Sequence, residues 1–456
     1  MVSPEGDDAM VFLQDLCENT VNGTLLDEDI AELITADALE YYGKYQEPKK
    51  YVCIFKIGLD SSSLHPMMKQ EGDLVGNDSH SFGSWCTILQ IVAKVNGKLK
   101  PFFHNHLANA SSSCRPLRLV NCKETPQSSR AEIDRLKNEI ANLKSLRWSN
   151  VVEFEFEPYL SMGDQAIVNS WVHNNCTSHC PNCLTGQADW GEDGLKDNPI
   201  SALCQEPIDN LAFSPLHLGV NTWRHVVNLA YRWELGMYVV RTEFKHLKEA
   251  KKLQVQEAYA RDKGLLIDIV KQGFGSTMDG NTARRGLADP EYCERTTGVP
   301  AELVEAFRDV WIMFKATFRL CPDKVQQECA KILARYKELC PWGHLPPTIH
   351  KALVHGHLYL RKVPETLTLG HFSEEPLEAS HKTLRHIEHC NARQFSREMK
   401  LLDVMKRLLD LSHPVILAKR TAKHHRSDLQ DRPAYPARIL ALAETPKSPI
   451  EEMEID

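Results

Sequence analysis

Residues 51–60 read YVCIFKIGLD, a run of β-branched and aromatic residues that predicts a strand. Two more apolar runs follow, SWCTILQIVAKV at 84–95 and KLKPFF at 98–103. Between them stands Asn96-Gly97, the dipeptide most typical of a tight β-hairpin. The sequence therefore predicts three strands early in the chain, of which the last two form a hairpin.

A helix and another strand complete the first third of the chain. Residues 128–147 have helical apolar periodicity, and 150–158 (NVVEFEFEP) alternate with period two, as a half-buried strand does. This order resembles the opening of a ribonuclease-H-like domain, in which carboxylates at the ends of neighbouring strands and on a later helix hold Mg²⁺. Asp60 ends the first strand and Asp164 follows the strand at 150–158. Acidic residues also favour such positions as ordinary turn residues.

The composition is that of a globular protein. The chain has 456 residues, 42% of them hydrophobic and 25% charged, which is enough for two or three domains. A net charge of −7 neither indicates nor excludes a nucleic-acid partner, because binding depends on local patches. The beginning, MVSPEGDD, lacks the pattern of a signal peptide, and no apolar run is long enough to span a bilayer. Most of the 14 cysteines are scattered singly, which predicts reduced thiols in an intracellular protein.

Two distant pairs of residues have the spacing of zinc ligands. Cys180-Pro-Asn-Cys183 is a Cys-x₂-Cys knuckle, and His350 and His355 lie much further along the chain. The four side chains would complete a tetrahedral site without an open position, which predicts a structural zinc. Two alternatives remain: a pair of buried free thiols, or a knuckle completed locally by His173, Cys176 or His179.

The segment SEEPLEASHKTLRHIEHC (373–390) predicts a helix with Ser373 as its N-cap. Its buried face is marked by Leu377, Leu384 and Ile387. Glu378 lies on another face, where it is either a metal ligand or half of a surface ion pair with Lys382.

A resemblance to a known family favours the interpretation of Glu378 as a metal ligand. Residues 373–397 resemble the catalytic-glutamate segment of the V(D)J recombination-activating protein and its relatives, the Transib transposases; Glu378 stands 13 residues before Asn391, as in that family. Residues 349–358 (IHKALVHGHL) are similar to the family's paired zinc histidines. Residues 214–236 and 278–315 are also similar to family segments in register and length.

The resemblance implies a metal-dependent DNA endonuclease and strand transferase. Asp60, Asp164 and Glu378 would be catalytic and would hold two Mg²⁺ or Mn²⁺ ions, while Zn²⁺ would occupy the cysteine and histidine ligands. A nick at one strand would free a 3′-hydroxyl, whose attack on DNA gives a hairpin or strand transfer. His217 would help to orient the scissile phosphate, and Arg284, Arg285 and Arg393 would contact the DNA backbone.

The implied architecture is an α/β ribonuclease-H-like catalytic domain with a large, mainly helical, zinc-braced insertion. We predict a helical lead-in at 1–50, the first part of the catalytic domain at 51–185, the insertion at 186–370, a catalytic helix at 371–412 and a disordered tail at 413–456. The expected partners are double-stranded DNA, a second copy of the chain and an accessory recombination-activating protein. The expected location is the nucleus, with no membrane association.

A second function comes from what the sequence lacks. Members of the family carry DNA-binding and dimerisation regions before the catalytic core, and we expect no counterpart of them in the 50 residues before the first strand. The alternative function is therefore a catalytically silent, zinc-braced remnant that binds DNA or protein. A zinc hydrolase is disfavoured, because the sequence has no His-Glu-x-x-His motif.

Overall fold

The computed structural model describes residues 3–5, 8–63, 80–186, 200–270, 276–393, 396–424 and 435–444. Over this part of the chain the protein is a mixed α/β structure that divides into two compact units. The first unit comprises 1–175, 210–214 and 371–432, and the second comprises 176–209, 215–370 and 433–456. The predicted insertion at 186–370 and the second unit thus cover much of the same sequence.

All strands of the described residues belong to one sheet in the first unit. They are β1 (Ser3–Glu5), β2 (Asp8–Met10), β3 (Lys49–Ser63), β4 (His80–Val95), β5 (Lys98–His104), β6 (Arg115–Val120), β7 (Leu146–Arg147) and β8 (Val152–Met162). Their order across the sheet is β1-β2-β6-β4-β3-β8-β7, with β5 paired to β4. The pair β3–β8 is parallel, and the other pairs are antiparallel.

Helices surround this sheet and make up most of the second unit. Those of the first unit are α1 (Leu13–Thr24), α2 (Glu28–Tyr45), α3 (Pro126–Ala141), α4 (Gln165–Trp171), α14 (Glu375–Cys390), α15 (Arg397–Leu411) and α16 (Pro414–His424). Those of the second unit are α5 (Ala202–Asp209), α6 (Pro215–Ala230), α7 (Lys245–Lys263), α8 (Gly280–Gly286), α9 (Pro290–Thr297), α10 (Ala301–Phe314), α11 (Pro322–Leu339), α12 (Pro347–His350), α13 (Gly356–Lys362) and α17 (Ala437–Leu440), with a π-helical turn at Lys351–His355. Among the residues described, no helix combines the length and apolarity needed to cross a bilayer.

The sequence of β4 is a nearly continuous apolar run because this strand lies in the core of the first unit. Its residues from Ser81 to Ala93 are all buried, so both faces of the sheet are covered there. One apolar cluster joins strands β2 to β8 to the helices α1, α2, α3, α4, α14 and α15. Tyr51, Phe55 and Phe154 are among its largest fully buried side chains.

The predicted strands and hairpin are confirmed. Strand β3 extends beyond the predicted 51–60, and β4 and β5 enclose a turn at Asn96 and Gly97. Both turn residues have positive φ, +52° and +79°, as a two-residue hairpin turn requires.

Several predicted helix ends were wrong, for local reasons. Helix α3 begins at Pro126 because Thr125 and Ser128 form a reciprocal capping box. The helical stretch expected at 242–271 ends at Lys263, because Gly264 adopts a left-handed conformation. The N-cap of α14 is Glu374 and not Ser373, whose hydroxyl accepts a hydrogen bond from the Glu375 amide.

The predicted disordered tail differs from the structure where the structure describes it. Helices α16 and α17 lie within 413–456, and Ile439 and Leu442 are buried in the second unit. These apolar side chains give the segment something to bury, which a solvated tail lacks. Residues 425–434 and 445–456 of the predicted tail lie outside the described residues.

Gly58 provides a test of the β3–β8 contact. A Cβ atom at this position would lie 2.0 Å from the carbonyl oxygen of Met162. We expect Gly58→Ala to lower the free energy of unfolding by about 3 kcal/mol, because the strands would have to separate. Gly43→Ala is the control: a Cβ there meets nothing within 4 Å, so this variant should unfold at the same denaturant concentration as the native chain or higher. Equal stability of the two variants in urea denaturation would contradict the expectation.

Candidate functional site

The parallel pairing of β3 and β8 aligns two of the predicted catalytic residues. Gly58 pairs with Met162, and Asp60 and Asp164 each follow two residues later. The carboxyl ends of neighbouring parallel strands meet at the same edge of a sheet, so the two aspartates share that edge. The Oδ1 atom of Asp164 also accepts a hydrogen bond from the Ile167 amide and caps α4, which leaves the second oxygen of this carboxylate to other partners.

A second group links the same edge to α14. The carboxylates of Asp60 and Glu378 both lie against the imidazole of His381: Asp60 Oδ2 is 3.7 Å from Nε2, and Glu378 Oε2 is 3.7 Å from Nδ1. One ligand atom from each residue lies within 4.8 Å of the other two, so these three could hold a metal ion. Asp164 is outside this group.

His381 was missed by the sequence reasoning. It is buried, and burial lowers the pKa of its imidazole to about 4, against the opposing effect of the Glu378 charge. A neutral imidazole donates from one nitrogen only, so it cannot donate to both carboxylates at once. The spacing Glu378-x-x-His381 places both side chains on one helix face, and this spacing is the signal that would have found the residue.

Glu124, in the loop between β6 and α3, is a further acid that the sequence reasoning missed. Burial and, to a smaller extent, the charge of Asp164 raise its pKa to about 7, against the opposing effect of a hydrogen bond from Ser61. Glu124 therefore lies close to Ser61, near the end of β3, and to Asp164, which follows β8. Its position depends on the fold of the whole sheet, and no local pattern marks it.

The carboxylates of Asp60 and Glu378 are accessible to solvent. Asp60 is partly exposed and the Glu378 side chain is 53% exposed, so an ion from solvent can reach both. Clustered carboxylates repel one another, and hard divalent cations with oxygen ligands relieve that repulsion. The residues present therefore fit a divalent cation.

The buried Lys56 connects this edge to α14. Its side chain lies on the same sheet face as Asp60, four residues earlier in β3. The ammonium donates to the backbone oxygens of His371 and Ser373, each at 2.8 Å, and to Asn109 Oδ1 at 2.7 Å. Burial lowers the pKa of Lys56 to about 7. The three acceptors use all three of its donors and fix the segment that leads into α14.

The predicted zinc ligands come together within the second unit. One atom from each of Cys180, Cys183, His350 and His355 lies within 4.8 Å of the others. Cys183 Sγ and His350 Nε2 are 3.7 Å apart. Bond lengths of roughly 2.3 Å to sulfur and 2.0–2.1 Å to nitrogen give a tetrahedral edge of about 3.6 Å, so the spacing fits a zinc-sized ion. His173, Cys176 and His179, the local alternatives, are not part of the group.

The protonation states and burial of this cluster also fit a metal. Hydrogen bonds from Cys180 and His350 keep the pKa of the Cys183 thiol below its ordinary value, which favours the thiolate. Burial lowers the pKa of His350 and favours neutral imidazole. The Nε2 atom of the buried His355 has no hydrogen-bond partner in the part of the chain described. A bound ion would use thiolate and imidazole ligands of this kind.

The remaining predicted site residues stay predictions. His217 lies on α6 of the second unit, whereas the carboxylates lie in the first. Arg284 and Arg285 are exposed on α8; Arg285 donates to the Lys263 carbonyl at 2.6 Å. Arg393 forms a two-bond ion pair with Asp403, both at 2.8 Å, so contact with a phosphate would compete with this carboxylate.

Comparison with known proteins adds no assignment: neither a protein-family model nor a curated protein matches the chain.

We expect metal analysis of the purified chain to find one zinc ion, and the Cys183→Ser variant to lose it. Removing a thiolate ligand also removes the binding energy that holds the cysteine and histidine segments together, so the thermal midpoint should fall. Cys390→Ser is the control, since Cys390 is exposed and outside the cluster. Equal zinc content in the two variants would contradict the assignment of Cys183 as a ligand.

Glu124 predicts a pH dependence of stability in the presence of EDTA. Its pKa is raised from 4.5 to about 7, so the folded state binds this proton more tightly than the unfolded state. The stabilisation is complete below pH 4.5 and is lost as the pH rises to about 7. Relative to Glu124→Gln, the native chain should lose roughly 2 kcal/mol across this window in urea denaturation. Glu398→Gln is the control at an exposed position of α15, and its stability should depend on pH in the same way as that of the native chain. A pH-independent difference between native chain and Glu124→Gln would contradict the prediction.

Proposed function

We propose that the chain is a metal-dependent DNA endonuclease and strand transferase of the V(D)J recombinase and transposase type. The observation that carries the proposal is the gathering of Asp60, Glu378 and His381 at one edge of the sheet, with Asp164 at the matching position of the adjacent strand. Glu124 adds a further carboxyl group to this edge.

The topology of the sheet supports a ribonuclease-H-like fold for the first unit. Strands β3, β4 and β6 are antiparallel neighbours, and β8 lies on the other side of β3 and parallel to it. Helix α14, which carries Glu378, belongs to the same unit and contributes Leu377, Leu384 and Ile387 to its core. Two strand-end aspartates and a glutamate on a later helix are the arrangement that the resemblance implies.

The proposed mechanism assigns each side chain a task. Asp60, Asp164 and Glu378 would supply the carboxylate ligands of the cations, and the imidazole of His381 lies beside the carboxylates of Asp60 and Glu378. When bound, two divalent ions activate the attacking water or 3′-hydroxyl and stabilise the leaving oxygen. The raised pKa of Glu124 suits it to hold a proton near neutral pH until a cation displaces it.

We assign Mg²⁺ or Mn²⁺ to the oxygen ligands and Zn²⁺ to the cysteine and histidine cluster. Carboxylates are hard ligands that suit Mg²⁺ and Mn²⁺, whereas thiolate and imidazole favour zinc. Four protein ligands leave zinc no open position, so its role is structural.

The DNA and partner assignments rest on this function. Arg284 and Arg285 are exposed on α8, where phosphate oxygens can approach them. Double-stranded DNA is the proposed substrate, and nuclear residence follows from it. A homodimer and an accessory recombination-activating protein remain part of the proposal.

Nicking of supercoiled plasmid in Mg²⁺ or Mn²⁺ tests the function. The native chain should convert supercoiled to open circular DNA, and Glu378→Gln should reduce the rate by at least 10²-fold, because a neutral amide holds a divalent cation poorly. Glu398→Gln is the matched control: it makes the same chemical change at an exposed site in the same unit and should keep the native rate.

Each result of the plasmid assay has a defined meaning. EDTA should abolish nicking, since the carboxylates would lose their cations. Equal nicking by the native chain and Glu378→Gln would indicate a contaminating nuclease. If a folded, zinc-loaded native chain does not nick DNA, the silent binding remnant becomes the better description.

A further inference from the structure

A cavity in the first unit contains a buried positive charge that the proposed function does not use. The cavity has a volume of about 360 Å³ and lies between the α1–α2 junction, the end of β5 and the first turns of α16. Arg115, at the start of β6, is one of its lining residues and is only 4% exposed. A volume of this size is at the lower end of the range for small-molecule sites.

The partners of Arg115 are all neutral. Its guanidinium donates to Thr20 Oγ1 at 2.6 Å and to Asn19 Oδ1 at 3.0 Å. The buried Nε atom has no hydrogen-bond partner, and Arg115 forms no ion pair with a carboxylate in the described chain. The ionisable groups near it include the thiols of Cys17 and Cys86 and the imidazole of His413. Burial lowers the pKa of Arg115 to about 10. A buried charge without a counter-charge costs several kcal/mol.

A second buried polar group lines the same cavity. The Ser113 hydroxyl is buried and has no hydrogen-bond partner among the residues that the structure describes. His104, His106 and Lys419 add basic groups to the wall. The one acidic residue of the described lining is Asp27, whose carboxylate caps α2 by accepting from the Ile30 amide. Water would satisfy the orphaned hydrogen bonds but would not neutralise the guanidinium.

Besides the polar Thr20, Thr24, Asn105 and Ser412, much of the remaining lining is apolar. Contributing side chains include Leu26, Ile30, Ile88, Phe103, Leu107 and Val415. A bare inorganic anion would leave this surface in contact with water. A molecule that carries an anionic group and a compact apolar body matches both parts of the wall.

We propose that this cavity binds a small amphipathic anion, a carboxylate or phosphate monoester on an apolar body, with Arg115 as the anion-binding residue. Ser113 lines the same cavity and has a hydroxyl that such an anion can accept from. The site is independent of the carboxylate cluster, so its test does not depend on nuclease activity.

Calorimetric titration and thermal shift of the full chain with four probes test the proposal. Phenyl phosphate and phenylacetate distinguish the two anionic groups, inorganic phosphate lacks the apolar body, and benzyl alcohol lacks the charge. We expect saturable binding of one or both aromatic anions with a rise in thermal midpoint. Inorganic phosphate and benzyl alcohol should bind at least tenfold more weakly. Equal binding of inorganic phosphate, or no saturable binding of either aromatic anion at millimolar concentration, would overturn the proposal.

Three variants locate the binding. Arg115→Met keeps the aliphatic stem and removes the charge, and it should weaken binding of the aromatic anion at least tenfold. Without ligand, this variant should melt no lower than the native chain, because its buried charge lacks a carboxylate partner. Arg147→Met makes the same change at an exposed arginine and should bind as the native chain does. Val415→Trp fills the cavity without changing Arg115 and should also abolish binding, which keeps the test valid if Arg115→Met fails to fold. Undiminished binding by Val415→Trp would exclude this cavity.

Discussion

The parallel pairing of β3 with β8 is the constraint on which the first unit depends. Parallel neighbours need a long crossover, and here it contains β4, β5, β6, α3 and β7 before the chain returns as β8. The last residues paired between these two strands are Gly58 and Met162. Asp60 and Asp164 each lie two residues beyond that pair, so both are at the same end of the two strands. Close approach at this point requires Gly58, because any side chain would collide with the backbone of β8. The strand pairing and the position of the two aspartates therefore both depend on glycine at position 58.

A sheet edge alone does not hold α14 in place, and two buried contacts contribute. Lys56 fixes the segment before the helix through backbone oxygens, and His381 lies between Asp60 on β3 and Glu378 on α14. Both groups are buried, and burial lowers the pKa of each. Polar groups in such positions stabilise a structure only when their partners are placed well, so they favour one arrangement of helix and strand over others. This arrangement keeps Glu378 near Asp60.

The sequence predicted what depends on local pattern and missed what depends on distant contacts. Period-two alternation, apolar runs and Asn96-Gly97 located the strands and hairpin, because side-chain direction and turn geometry are local properties. Glu378 was identified through resemblance, since its helix pattern fits a surface ion pair equally well. Glu124 and Arg115 escaped notice because their environments are made by segments far away in the chain. The cap of α14 was misplaced by one residue, because Ser373 accepts from the Glu375 amide as an N-cap side chain does, although the helix itself begins only at Glu375.

The two groups of candidate metal ligands differ in their burial and in the chemistry of their ligand atoms. The cysteine and histidine group is largely buried, and its two halves stand 167 residues apart in the chain. Closing so long a loop costs conformational entropy, which a tightly bound ion offsets when it joins the two segments. The carboxylate group has oxygen ligands and a half-exposed Glu378, so an ion there can keep open positions for water and phosphate. A site whose ligands all come from the protein suits a structural ion, whereas a site with open coordination positions suits an ion that binds a substrate. Under the proposed function, an ion in the first group would brace the fold and an ion in the second would take part in the reaction.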